Sequence, residues 1–211
     1  MALLPKPRLV WNRTLSALFR ELTRDLVSRI GVKRGKSKPL SMILRIEDLP
    51  GKDWRETSVE TYRTGAVERP VLSTFRTKRS RAITASGFYR NRTNAYNILI
   101  KLSPLESLDE ARLREASYVE RMLVRLSQVK GASLVKIVED FPDSPKSYGP
   151  GIEYEIEKGF AKGKNFKDIF LREGTVVFTV SCSAPNNGWS WYEVLKIVES
   201  QRSKIISVQS G

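Results

Sequence analysis

The chain has 211 residues, 40% of them hydrophobic, which fits one ordinary domain plus an extension and excludes wholesale disorder. Its 37 Lys and Arg against 23 Asp and Glu give a net charge of +14, a surface drawn to nucleic acid, anionic membrane or an acidic partner. No His is present and Cys182 is the single cysteine. This excludes Ser-His-Asp and Cys-His catalytic sets, imidazole bases and metal ligands, an internal disulfide and a thiolate zinc site.

Residues 1–40 hold ten Lys and Arg against two acids, Glu21 and Asp25, so they read as an appendage to a domain spanning 41–211. Within it Trp11, Leu15, Leu18, Phe19, Leu22, Leu26 and Ile30 recur at helical spacing. They predict one apolar stripe, with Arg13, Arg20, Arg24 and Arg29 on other faces. Gly31 is the expected stop, and Val32 to Pro39 a basic linker. Before Glu21 the N-terminus is basic and free of acids, as transit peptides are, which leaves organelle targeting and compartment open. No run of about 18 apolar residues predicts a transmembrane helix.

In the domain, Ser41 to Ile46 reads as a short strand, closed by a turn at Asp48 to Gly51, and residues 52–68 are polar and ambiguous. Strands follow near Val71 to Arg76, Ala82 to Tyr89 and Ala95 to Leu102, the last two joined by a turn at Asn91 to Asn94. Ser107 and Glu110 form a capping box that opens a helix carried by Leu113, Ala116, Val119, Met122, Leu123 and Leu126 to about Gln128. Further strands are expected at Leu134 to Val138, Gly151 to Lys158, Phe166 to Arg172 and Thr175 to Cys182. A second capping box, Ser190 with Glu193, opens a final helix to about Lys204. Short turns between neighbouring strands imply an antiparallel sheet, because parallel pairs need long crossovers.

Four groupings bear on function. Gly31, Gly35, Lys36 and Ser37 fall one residue short of a phosphate loop and follow a helix rather than a strand, so that reading is rejected. Between Arg69 and Lys101 there is no acid, and Arg76, Lys78, Arg79, Arg81, Arg90 and Arg92 alternate with Phe75, Phe88, Tyr89 and Tyr96. Such a stretch holds phosphates and stacks bases when its rings are exposed. Glu153, Glu155 and Glu157 form a carboxylate row opposite Ile152, Tyr154 and Ile156, expected to be a solvated strand face or a match to the basic helix or hairpin. Cys182 is expected to be a buried, inert thiol, and Trp189 and Trp191 to lock the last helix on the sheet.

The series Gly151 to Lys158, Phe166 to Leu171, Gly174 to Val180, a small-residue loop, Trp189 or Trp191 and a helix ending in Gln201, Arg202 and Ser203 resembles the closing half of the PsbP-like fold family. That family includes photosystem II extrinsic proteins and LpqN-like actinobacterial lipoproteins. Asp48, Leu49, Pro50 and Trp54 resemble its strand-Pro-Trp opening. The resemblance implies an α/β/α sandwich around an antiparallel sheet and a non-enzymatic binding or assembly role. It transfers no functional residue.

The expectation is therefore an α+β sandwich with an extra N-terminal amphipathic helix and no catalytic set, metal or cofactor. The leading function is a protein-binding or assembly factor docking through Trp11, Leu15, Phe19 and Leu22, and the same helix also suits peripheral contact with an anionic membrane. The alternative is a nucleic-acid-binding protein using Arg76, Lys78, Arg79, Arg81, Arg90 and Arg92.

Overall fold

Seven strands form one antiparallel sheet in the order β1-β2-β3-β7-β6-β5-β4. The computed structural model describes residues 38–63, 83–139, 141, 148–159 and 161–210. All belong to the unit Lys36–Gly211. The predicted N-terminal stripe, and the strand predicted at residues 71–76, lie outside the described residues.

The strands are β1 (Trp54–Arg63), β2 (Ile83–Asn91), β3 (Asn97–Pro104), β4 (Ala132–Val138), β5 (Gly151–Ile156), β6 (Lys164–Glu173) and β7 (Val176–Pro185). From β3 the chain crosses to the far edge through α2 (Leu108–Ala116) and α3 (Tyr118–Gln128), enters β4, and meanders back so that β7 pairs with β3. The last helix, α4 (Trp191–Ser210), packs on one face, while α2 and α3 pack on the other. The architecture is an α+β sandwich, with helices on both faces of an antiparallel sheet.

Alternation sets which side chain meets which layer. In β7, Val176, Phe178, Val180, Cys182 and Ala184 join the α4-side core, and Val177 joins the α2–α3 core. From α4, Val194, Ile197, Val198, Gln201 and Ile205 form the buried stripe. Each fully buried aliphatic side chain there contributes roughly 1.5–3 kcal/mol. On α3 the spacing i, i+4, i+8 brings Tyr118, Met122 and Leu126 inward. Gly151 permits close packing of α4: a Cβ there would lie 2.6 Å from the Trp191 ring.

Both capping boxes form the expected first contacts. The Glu110 amide donates to Ser107 Oγ at 3.2 Å, and Glu193 and Ser190 bond reciprocally at 2.8 and 3.2 Å. The helix expected from Ser107 to Gln128 is broken at Ser117, whose hydroxyl donates back to the Leu113 carbonyl at 2.9 Å. Such back-bonding bends helices. The final helix runs past Lys204 to Ser210.

The strand expected at Ser41 to Ile46 is absent. A helical turn α1 (Lys38–Ser41) and a 3-10 turn (Ile46–Asp48) flank a buried, irregular Met42 to Leu44. The fully buried Gln201 of α4 supplies its pairing: Nε2 donates to the Met42 carbonyl, and Oε1 accepts from the Leu44 amide at 3.2 Å. A side chain thus replaces a neighbouring strand. Gln201→Ala leaves two buried backbone groups unpaired. The expected loss is about 3 kcal/mol of unfolding free energy, measured by urea denaturation; a change under about 1 kcal/mol would show that the segment finds other partners.

Candidate functional site

Where α2 and α3 lie over the sheet, its far face is aromatic and aliphatic; toward β1–β3 it turns polar. Cross-strand register displays this in rows. One row runs Ser58, Phe88, Leu99, Ser181, Asp168, Ile152 from β1 to β5. The next runs Glu60, Ser86, Lys101, Thr179, Phe170. The third runs Arg90, Asn97, Ser183, Phe166, Tyr154.

The helices α2 and α3 lie over β4, β6 and β7. Ser58, Phe88, Leu99, Lys101, Thr179 and Ser181 are only half-buried. Polar groups within the strip pair with one another. Thr84 Oγ1 and Ser103 Oγ are 2.8 Å apart, Asn97 Nδ2 donates to Ser183 Oγ at 3.3 Å, and Arg90 Nε donates to Asn97 Oδ1 at 3.4 Å.

Asp168 stands at the boundary of the two halves. Alternation along β6 places it between Phe166 and Phe170 on the same face, about 6–7 Å from each. Tyr154 stacks on Phe166 with centroids 4.9 Å apart, and Tyr118 stacks on Phe170 at 4.7 Å. The carboxylate is therefore bracketed by two aromatic pairs. It is 5% exposed. Tyr154 donates its hydroxyl to Oδ2 at 3.2 Å, whereas Oδ1 and the Tyr118 hydroxyl are buried with no hydrogen-bond partner.

Burial pushes the Asp168 carboxyl up to about 6; the Ser181 and Tyr154 hydroxyls and then the Lys101 charge oppose that rise. Burial, followed by the Asp168 charge, holds both Tyr118 and Tyr154 well above the usual phenol range. All three groups thus share one electrostatic environment. The site was missed in the sequence, although Phe166, Asp168 and Phe170 carry a signal: a carboxylate between two rings at period two interrupts an apolar strand face.

The opposite face holds a second buried charge cluster. Glu153 and Lys167, both buried, pair at 2.9 Å; Lys167 also donates to Asn187 Oδ1 and lies 5.8 Å from the Trp191 ring centroid. This corrects the carboxylate row. Glu153 points into the α4 side, because both faces of β5 are covered, and only Glu157 of the three is exposed. Cys182, the register partner of Lys167, is buried, and burial pushes its thiol well up, which leaves it inert. Trp189 stacks on Trp54 at 6.1 Å, and Trp191 meets Phe141 edge-on at 5.2 Å. Both tryptophans are locking residues.

Trp11, Leu15, Phe19 and Leu22, and likewise Arg76, Lys78, Arg79 and Arg81, lie outside the described residues. Arg90 and Arg92 are described and exposed. Arg90 lies within electrostatic reach of Lys164, whose pKa is lowered first by burial and then by Arg90. Phe88 and Tyr96 are half-buried and Tyr89 is fully buried, its hydroxyl donating to the Leu44 carbonyl, so Tyr89 is no base-stacking platform. Among the described residues no three His, Cys, Asp or Glu side chains converge as a metal site, and no helix is long and apolar enough to cross a membrane.

No family model matches the chain, and no curated protein matches it. Its fold is similar to that of the extracellular domain of PknH from Mycobacterium tuberculosis, with a TM-score of 0.55 and 8% sequence identity. The similarity covers 82% of this chain and 97% of that one, and it supports the sheet-and-helix sandwich alone.

Proposed function

We propose that this protein is a non-catalytic interaction module, whose domain recognises its partner along the polar strip on the far face of the sheet. The observation that carries this reading is the change of chemistry along each cross-strand row. A sheet face bound for a core is apolar throughout, yet here half-buried Lys101, Thr179 and Ser181, with buried Ser86, share one face with Phe170 and Ile152. Half-buried Phe88 and Leu99 between them supply apolar contact within a hydrogen-bonding surround, the composition of a recognition surface. In this reading the basic N-terminal helix, through Trp11, Leu15, Phe19 and Leu22, is a docking element that adds to the strip.

Affinity capture from the native cell with mass spectrometry tests this, using the full chain, residues 41–211, and the full chain with Lys101→Glu. The leading partner is expected to fall at least about tenfold with Lys101→Glu, a loss of roughly 1.4 kcal/mol, and to fall again on truncation. Equal recovery by all three would overturn both contributions.

A second reading, nucleic-acid binding, is favoured by the placement of exposed Arg90 beside Lys164, with exposed Arg92 following in the turn. It requires oligonucleotide affinity that falls steeply with salt, and a slope that shrinks by about one for each phosphate-contacting Arg reversed. Undetectable binding at low salt closes it.

A further inference from the structure

Asp168 Oδ1 and the Tyr118 hydroxyl are buried on the far face without hydrogen-bond partners, beside the Tyr118–Phe170 and Tyr154–Phe166 stacks. We infer that this cluster is a binding site for a primary alkylammonium group, which donates one N–H to Asp168 Oδ1 and another to the Tyr118 hydroxyl. The inference rests on the strip as a recognition surface and names the chemistry taken at its Asp168 end.

Leaving a buried carboxylate oxygen unpaired costs more than leaving a neutral acceptor so, and in a low-dielectric setting a cation is its strongest complement. The surrounding groups agree. Tyr154 from β5 and Ser181 from β7 favour the carboxylate, and Lys101 from β3 is the weakest of its influences, while Arg121 and Arg125 of α3 act on Tyr118. With its carboxyl at about 6, Asp168 is ionised at neutral pH.

The remaining alternatives fit less well. A metal ion would want more carboxylates, and among the described residues none converge. A quaternary ammonium has no N–H to give either orphan atom. A neutral alcohol can fill the space but leaves the charge uncompensated. Half-buried Leu99 and Ser181 continue the Asp168 row toward β3. A lysine side chain of a partner and a small free amine share the alkylammonium chemistry.

The test is titration of the full chain with n-butylammonium chloride, followed by carbon-13 NMR of the Tyr154 ring, which every variant retains, together with the Asp168 side-chain carboxyl in the wild type. Saturable perturbation is expected, at least tenfold weaker in Asp168→Asn, weaker in Tyr118→Phe, and fading as pH falls below about 6. Tetramethylammonium and n-butanol should perturb the signal little. Nα-acetyl-lysine methylamide binding as well as n-butylammonium assigns the group to a partner lysine; binding by n-butylammonium alone assigns it to a free amine.

Equal perturbation by n-butanol, unchanged n-butylammonium affinity in Asp168→Asn, or no saturable change at all overturns the inference. Tyr118→Phe carries the comparison if Asp168→Asn fails to fold. Partner capture that remains sensitive to Lys101→Glu while the amine does not bind removes this inference and leaves the strip standing. Capture insensitive to Lys101→Glu removes the strip instead.

Discussion

Lys167→Met is expected to cost the domain about 3–5 kcal/mol of unfolding free energy, the largest effect of any single polar substitution considered. Glu153 would then be left as a buried carboxylate without its counter-charge at 2.9 Å. The two charges were desolvated together on folding, and removal of one leaves the desolvation of the other uncompensated. Replacing both, as Glu153→Leu with Lys167→Met, removes that penalty, so the double variant is expected to recover most of the loss. Urea unfolding of the wild type, both single variants and the double variant checks this as a double-mutant cycle. Additive losses would show that the pair acts through separate contacts, Lys167 chiefly through Asn187 and the Trp191 ring.

Asp168→Asn is expected to do the opposite at neutral pH. The folded-state carboxyl lies at about 6, above the ordinary carboxylate value of 3.8, so between roughly pH 4 and 6 the folded state holds a proton that the unfolded state has released. Stability from this group is therefore fully present below about pH 4 and is lost as pH rises through about 6. The total swing is about 3 kcal/mol.

The neutral Asn amide avoids the buried charge and provides donors for the orphaned Tyr118 hydroxyl. The variant should match the wild type near pH 4, exceed it by about 2–3 kcal/mol at pH 8, and show a flatter profile between. Urea unfolding from pH 4 to 8 gives the comparison, and parallel profiles for the two proteins would show that Asp168 does not titrate in this window. A wild type that retains a destabilising carboxylate at neutral pH fits a residue kept for binding rather than for packing.

Local signals in the chain carried far. Ser107 with Glu110, and Ser190 with Glu193, start helices because each cap bond is made by atoms within three residues. Period-two alternation at β5, and the short turns joining β2 to β3 and β6 to β7, were enough to make the sheet antiparallel, since those contacts are also local. The conversion of a predicted strand at Met42 to Leu44 into irregular backbone was illegible, because its hydrogen bonds come from Gln201, more than 150 residues away.

The same division runs through the candidate site. Sequence alone determined the basic, histidine-free composition, most strands, the caps that open α2 and α4 and the absence of histidine-based catalytic sets. Alternation told which residues of β5 and β6 share a side, but not what would cover that side. Only the return of β7 to β3 and the placement of α4 opposite α2 and α3 decided that Glu153 is buried against Lys167 instead of solvated. Those same long-range contacts set Asp168 between two aromatic pairs at the edge of the helical layer. A side chain's face is a property of its own strand, whereas its dielectric and its partners belong to whatever segment the fold lays over it.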